Sequence, residues 1–479
     1  MRAYSPHRRR RFIPISVIVA IFAALMVAPG CAHKPYEDPV AAMSDEELNA
    51  KEQIRAMRQA SVDDPANPER IRALKRVLST PGHTLSLRKE AFELLYRHDP
   101  EDARTTLMYR LPSLTSWDFI EFACGRVADE GWTEFRHALV RSLARPTARY
   151  APEERPERRA LDALFPDQDV RQTVFDVVAE PTDNPVFIRW RDSAWEALND
   201  LGDAEPWRDQ LLALETSDPF LVDMQAAAQD LGVIPRTAEE VKWARTLREP
   251  QYADWWSQAR AIVSTLPEEI QRELELRHLA PLVRVSEAHP EWLDRSKEEL
   301  YSIVTATLGG RRHITPSQLS ASYRAQSLDD ARERLKWADL VTIRLANELA
   351  FSPAIRAELF RQAAHDQGDK STEYGGVLDL GPEGPMAEMF SPRIRQHDMK
   401  FFATKQMVIR GYTAPFHYHF HVQEKNNHEY AGPGLGDLEY ANALGINGVV
   451  FTSVGGGKLN ADFYTVDQIV IDLGVIEDE

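Results

Sequence analysis

Residues 414–422 read APFHYHFHV, with His417, His419 and His421 alternating with Phe416, Tyr418, Phe420 and Val422. Alternation of this kind marks a β-strand, in which side chains two apart share a face. The three histidines are therefore expected on one face, with the aromatic residues and Val422 on the other. Two imidazoles about 7 Å apart at Cα suit a divalent metal, because both rings can converge on one ion. Zinc needs a third protein ligand, and Asp437 is the candidate. It begins the segment DLEYANALG directly after the glycine-rich turn AGPGLG, where a short backbone can bring it back to the strand. Two pairings stay open at this point: His417 with His419, or His419 with His421. The same H-x-H pattern also occurs in cupin-type pockets and on solvated strand faces.

Glycines multiply after about residue 372 and β-type runs appear: YGGVLDL, KFFATKQMVIRGY, NGVVFTSV and QIVIDLG. A helical pattern, PAIRAELFRQAAHD, precedes them. Residues 350–479 are thus expected to form an α/β domain. Residues 44–349 instead carry amphipathic patterns about 10–15 residues long, bounded by Pro, Gly or Asp. SDEELNAKEQIRAMRQA opens the series with Ser44 as the expected N-cap. Such a string predicts an N-terminal all-α region, an irregular α-solenoid of the HEAT or TPR kind, without a strict repeat period. Trp255 and Trp256 sit at helical spacing and read as core.

The chain opens MRAYSPHRRRRFIPISVIVAIFAALMVAPGCAHK. Arg8 to Arg11, an apolar run and small residues are the parts of a secretory signal. Ala28-Pro29-Gly30-Cys31 resembles the lipobox of bacterial lipoproteins, which implies a signal peptide over 1–31, a lipid on Cys31, and a tether over 32–43. The partner this implies is a membrane, reached through the N-terminal lipid, with the protein in the cell envelope facing the periplasm or exterior. The competing reading is an uncleaved transmembrane helix. The 479 residues hold 57 Lys and Arg against 74 Asp and Glu, a net charge of −17, which argues against nucleic acid as a partner. Of two cysteines, Cys31 is assigned to lipid, so Cys124 has no internal disulfide partner and reads as a buried small apolar residue.

The order of the C-terminal motifs resembles a family. Glu373-Tyr374-Gly375-Gly376-Val377-Leu378 is followed by His-x-His, then a Pro-Gly turn ending in Asp437, then the strand GVVFTSV. This is similar to the JAMM (JAB/MPN-type) metallopeptidase domain, with its pattern of Glu, His-x-His and Ser-x-x-Asp. The resemblance covers about the last quarter of the chain. It implies His419, His421 and Asp437 as zinc ligands and Glu373 as general base in hydrolysis of an amide or isopeptide bond. Gly434 stands where that pattern has serine, and the interval from His421 to Asp437 is long. His417 and His428 are then supporting or alternative ligands. Two functions follow: a membrane-anchored, extracytoplasmic zinc hydrolase on a helical scaffold, or a catalytically silent JAB-like lipoprotein serving as a binding or assembly platform. In either case the protein or peptide partner is unidentified.

Overall fold

The computed structural model describes residues 34–147, 149–202, 205–312, 326–395 and 401–478; the signal segment and Cys31 lie outside them. The chain divides into two compact units, Met1–Ala123 and Cys124–Glu479. It is largely helical, with a six-stranded mixed sheet at its C-terminal end.

In the first unit, helices Ala50–Asp63, Pro68–Ser79, Leu85–His98 and Pro100–Arg110 follow one another through short connections. The expected cap at Ser44 is displaced to Asn49. The Asn49 side chain accepts from the N–H groups of Lys51 and Glu52, while Glu52 reaches back to the Asn49 N–H at 3.2 Å. This reciprocal box satisfies terminal donors that Ser44 is too far upstream to reach. The expected tether over 32–43 is docked from Tyr36 onward. The Tyr36 N–H donates to Gln59 at 2.9 Å, its hydroxyl donates to the Glu52 carbonyl at 3.2 Å, and Met43 is fully buried. Cys124, on the helix Trp117–Asp129, is buried, and burial pushes its thiol well above the ordinary range.

The second unit contains the sheet. Its relevant helices are α1 (Leu276–Ala288), α2 (Trp337–Ala350), α3 (Pro353–Gly368), α4 (Lys405–Gly411) and α5 (Leu435–Leu444). The strands are β1 (Gly375–Gly381), β2 (Gly384–Phe390), β3 (Phe416–His421), β4 (Gly448–Ser453), β5 (Lys458–Thr465) and β6 (Ile469–Glu477). They lie in the order β2-β1-β3-β4-β5-β6, and β3–β4 is the parallel pair. A parallel pair needs a crossover, and α5 lies within the one between β3 and β4.

The alternation in residues 416–422 is resolved on the two faces. Phe416, Tyr418, Phe420 and Val422 join a core running from Ala227 to Ile476, which includes Leu276, Leu279, Leu282, Val283 and Val285 of α1 and most of α2. These two helices are buried nearly all round, as helices sandwiched inside a unit must be. Because this core is continuous, residue 350 marks a change of secondary structure and not a gap in packing; the division between compact units falls at Ala123/Cys124. The run KFFATKQMVIRGY, expected as strand, is helical over Lys405–Gly411. Thr404 caps it by accepting the Met407 N–H at 3.2 Å, and Met407 packs on Val377 and Ala414. Short apolar runs read equally well in either period, and here the cap decides. Strands β2 and β5 fall outside the runs read as β-type, although Leu459, Ala461 and Phe463 alternate with Asn460, Asp462 and Tyr464 along β5.

Polar residues tie the helices to the sheet. Arg277 on α1 donates to Glu275 at 2.5 Å, to Asp339 of α2 at 2.6 Å and to Asn447 at 3.2 Å. His278 lies 3.0 Å from Asp339, and Lys336 donates to Glu275 at 2.7 Å. Burial alone would raise both carboxyls, but Arg277 and its cationic neighbours hold them well below the ordinary range. Asn447 returns a hydrogen bond to the Arg277 carbonyl at 2.8 Å, and its own carbonyl accepts the His417 N–H at 3.0 Å. The network therefore ends at the first turn of the histidine strand. Removing one partner leaves an uncompensated buried charge, which costs about 3–5 kcal/mol. Asp339→Ala is expected to lower unfolding stability in urea by about that amount. Since the native carboxylates are depressed, their contribution is present above about pH 4 and lost as the pH falls below it. The acid limb of the stability profile should accordingly be shallower in Asp339→Ala than in the native chain.

Candidate metal centre

Strand β3 turns His417, His419 and His421 toward the face that carries α5. That helix docks through Leu438 and Ala441 onto Val450, Tyr464 and Val470. It starts at Leu435, two residues before the expected position, with Gly434 as its N-cap in extended conformation. Asp437 is thus in the first turn, where a carboxylate is favoured by the N-terminal end of the helix. Its Oδ2 accepts the Gly434 N–H at 2.7 Å.

This arrangement brings three side chains together. The Nε2 atoms of His419 and His421 are 3.2 Å apart. Asp437 lies 3.3 Å from His419 Nε2 through Oδ1 and 3.6 Å from His421 Nε2 through Oδ2. Among the described residues, His419, His421 and Asp437 are the one group of this kind whose possible ligand atoms all lie within 4.8 Å of one another. Bonds of about 2.0–2.1 Å directed tetrahedrally from one centre separate their outer atoms by about 3.3–3.4 Å. The His419–His421 and His419–Asp437 separations are close to such an edge length, whereas the nearest approach of Asp437 to His421 is through its other oxygen.

Hydrogen bonding sets the donor state of these rings. His421 Nδ1 lies 3.1 Å from the Tyr430 carbonyl, which can only accept. Nδ1 therefore carries the hydrogen, and in the neutral ring Nε2 presents a lone pair toward His419 and Asp437. With two imidazole nitrogens and a carboxylate this close, a hydrogen on His419 Nε2 or a divalent metal has to lie among them. Burial opposes the His419 imidazolium, but Asp437 outweighs it and raises its pKa. Burial and the charge of His419 lower that of His421. Asp437, despite burial, is held well below the ordinary carboxylate range by His419 first and then His421 and the Gly434 N–H.

Glu373 enters from the neighbouring strand. β1 pairs antiparallel with β3 in the register Gly375–His419, and the Phe420 N–H continues the pairing to the Tyr374 carbonyl at 3.2 Å. Continued two residues, that register sets Glu373 across from His421 on the same face of the sheet. Gly375 and Gly376 permit this close approach. A Cβ on Gly375 would lie 2.3 Å from the Tyr418 carbonyl oxygen, and one on Gly376 would lie 1.9 Å from that of Glu388. Buried Asp366 of α3 accepts the Tyr374 N–H at 2.7 Å and so holds the approach to β1. Glu373 is only 4% exposed. Burial, with Asp437 and Asp366 adding to it against His419, pushes its carboxyl up to about 8.

The remaining histidines lie elsewhere. His417 sits beside Gly411 and meets the Tyr440 hydroxyl at 3.1 Å through Nδ1; burial lowers its pKa to about 4. It braces α5 one turn beyond Asp437 and is absent from the cluster. His428 is exposed on a short 3₁₀ turn and does not join the cluster either. Sequence reasoning missed Gln423, which donates to Glu373 at 2.7 Å, and Tyr440. It also missed Tyr464, whose hydroxyl lies 3.5 Å from His419 Nδ1. Amides and phenols are not strong metal ligands, so only spacing could have flagged them, such as Tyr440 three residues after Asp437. Comparison of the chain with protein-family models, curated proteins and solved structures finds no match.

The geometry separates the two pairings experimentally. His421→Ala should abolish binding of a divalent metal by the full chain, whereas His417→Gln should retain about one ion per chain, as counted by elemental analysis after equilibrium dialysis. The opposite pattern would assign the site to His417 and His419.

Proposed function

We propose that this chain is a zinc-dependent hydrolase of amide or isopeptide bonds, similar to the JAMM metallopeptidases, carried on a helical scaffold and anchored by lipid at Cys31 in the cell envelope. The observation that carries the reading is the convergence of His419 Nε2, His421 Nε2 and the Asp437 carboxylate within 4.8 Å. The donor set of two neutral imidazoles and one carboxylate is of the type used at catalytic zinc sites, which keep a further position for water. Bound zinc would lower the pKa of that water toward about 7 and polarise a substrate carbonyl.

The chain's own residues supply the rest. Glu373, opposite His421 in the continued register, is the proton carrier. It takes a proton from water as the oxygen adds to the carbonyl carbon, and returns it to nitrogen as the C–N bond breaks. A carboxyl that burial raises to about 8 is suited to hold that proton between the two steps. His421 is kept in its ligating tautomer by the Tyr430 carbonyl, and His417 with Tyr440 steadies the helix bearing Asp437.

One observation favours the second reading, a silent JAB-like platform for a protein or peptide partner. Gly434 offers no hydroxyl at the position of the family serine, and its N–H is already given to Asp437. An absent oxyanion donor costs about 10²–10³ in rate, so the platform reading predicts metal binding without turnover.

Zinc content and a peptide-hydrolysis screen of the full chain decide between them. The hydrolase reading expects about one zinc per chain and an activity that Glu373→Gln abolishes while leaving zinc in place. Zinc without any cleavage, the same for native chain and variant, would favour the platform. For the anchor, Cys31→Ser should eliminate labelling of the protein by fatty acid in cells; persistent labelling would assign the lipid to another residue. No helix among the described residues is long and apolar enough to cross a membrane.

A further inference from the structure

Glu373 is held by more than its strand. Gln423 Nε2 donates to Glu373 Oε1 at 2.7 Å, and Asn427 Nδ2 donates to Gln423 Oε1, also at 2.7 Å. Asn427 is 4% exposed. Its backbone is fixed at both ends: its N–H donates to the Ser453 carbonyl of β4 at 2.6 Å, and its carbonyl accepts the Tyr430 N–H at 2.8 Å. The Gln367 side chain of α3 donates to the Val422 carbonyl at 3.1 Å, so the start of the segment is secured as well.

The relay has a direction. An amide NH₂ can only donate and an amide oxygen can only accept. Because Asn427 turns its NH₂ toward Gln423, Gln423 must answer with its oxygen, and its own NH₂ must face Glu373. Glu373 Oε1 thus meets a donor whatever the protonation state of the carboxyl. A proton on Oε1 would compete with that donor, which leaves Oε2 as the oxygen that exchanges one.

We propose that Gln423, oriented by Asn427, is a positioning residue that pins Glu373 through Oε1 and reserves Oε2 for proton exchange. The proposal rests on the reading of Glu373 as the proton carrier of a metal-dependent hydrolase. It assigns no ligand role to either amide. Asn427 acts on a carboxyl it does not touch, and that separates it from a residue that merely fills space. In Asn427→Asp the new carboxylate can only accept, so Gln423 must turn its NH₂ toward it and its oxygen toward Glu373. Two acceptors then face each other unless Glu373 holds a proton.

The test uses the full chain loaded with cobalt(II), whose visible absorption follows ionisation at the site, titrated between about pH 5 and pH 10. The native chain should bind about one cobalt and show a spectral transition, whose midpoint Glu373→Gln displaces. Gln423→Leu and Asn427→Asp should bind the same amount of cobalt with the midpoint raised by about one pH unit, since each takes away the donor that favours the charged carboxylate. Coincidence of both variants' midpoints with the native one at equal cobalt content would overturn the proposal. A Glu373→Gln transition at the native midpoint would instead overturn the role of Glu373, and failure of the native chain to bind cobalt would overturn the metal site itself. Asn427→Asp, nearly isosteric with the native side chain, carries the test alone should Gln423→Leu not fold.

Discussion

Arg277 is buried at 3% exposure between Glu275 and Asp339, with Asn447 on its far side. Desolvating a guanidinium is expensive, and the structure offsets the cost only because every partner arrives from a different part of the chain. Glu275 comes from the start of α1, Asp339 from α2, and Asn447 from the turn into β4. Asn447 then accepts from Arg277 and Thr465 on its side chain and from His417 on its backbone. Helices and sheet are therefore joined at one polar point, and the parallel pair β3–β4 starts from it. An apolar contact in the same place would tolerate sliding; a set of charged hydrogen bonds does not.

From that fixed start, β3 presents two incompatible chemistries to its two sides. One face gives aromatic rings to a core shared with α1 and α2. The other places buried imidazoles beside a carboxylate. Such a polar cluster is tolerable because its imidazoles have partners, Asp437 for His419 and the Tyr430 carbonyl for His421, while His417 beside it meets Tyr440. The same partners that make burial possible also set the tautomers and orientations on which ligand chemistry depends.

Much of this was legible in the sequence, for identifiable reasons. Period-two alternation places His417, His419 and His421 on one face without any knowledge of the neighbours. The glycine-rich turn before Asp437 signals a return of the chain. What was not legible depends on the third dimension. The choice of His419 and His421 over His417 follows from where α5 lands. The helix at Lys405–Gly411 depends on the Thr404 cap prevailing over apolar residues with no clear period. Gln423 and Asn427 become meaningful only once β1 and β3 are paired, because neither residue type declares a role by itself. The continuity of the core across residue 350 is likewise a matter of packing, to which a change in local pattern is blind.

The docking of Tyr36 on the first unit has a mechanical consequence. With a lipid on Cys31, only residues 32–35 separate the anchor from a residue already hydrogen-bonded into the folded helices. Five residue steps reach at most about 18 Å when fully drawn out. That is little more than two screening lengths in physiological salt, so a chain more acidic still than −17 once the signal's arginines are gone would feel an anionic bilayer at close range. The leash is then short enough to keep the N-terminal helices beside the membrane. Any reach toward a distant partner has to come from the folded body and not from slack in its attachment.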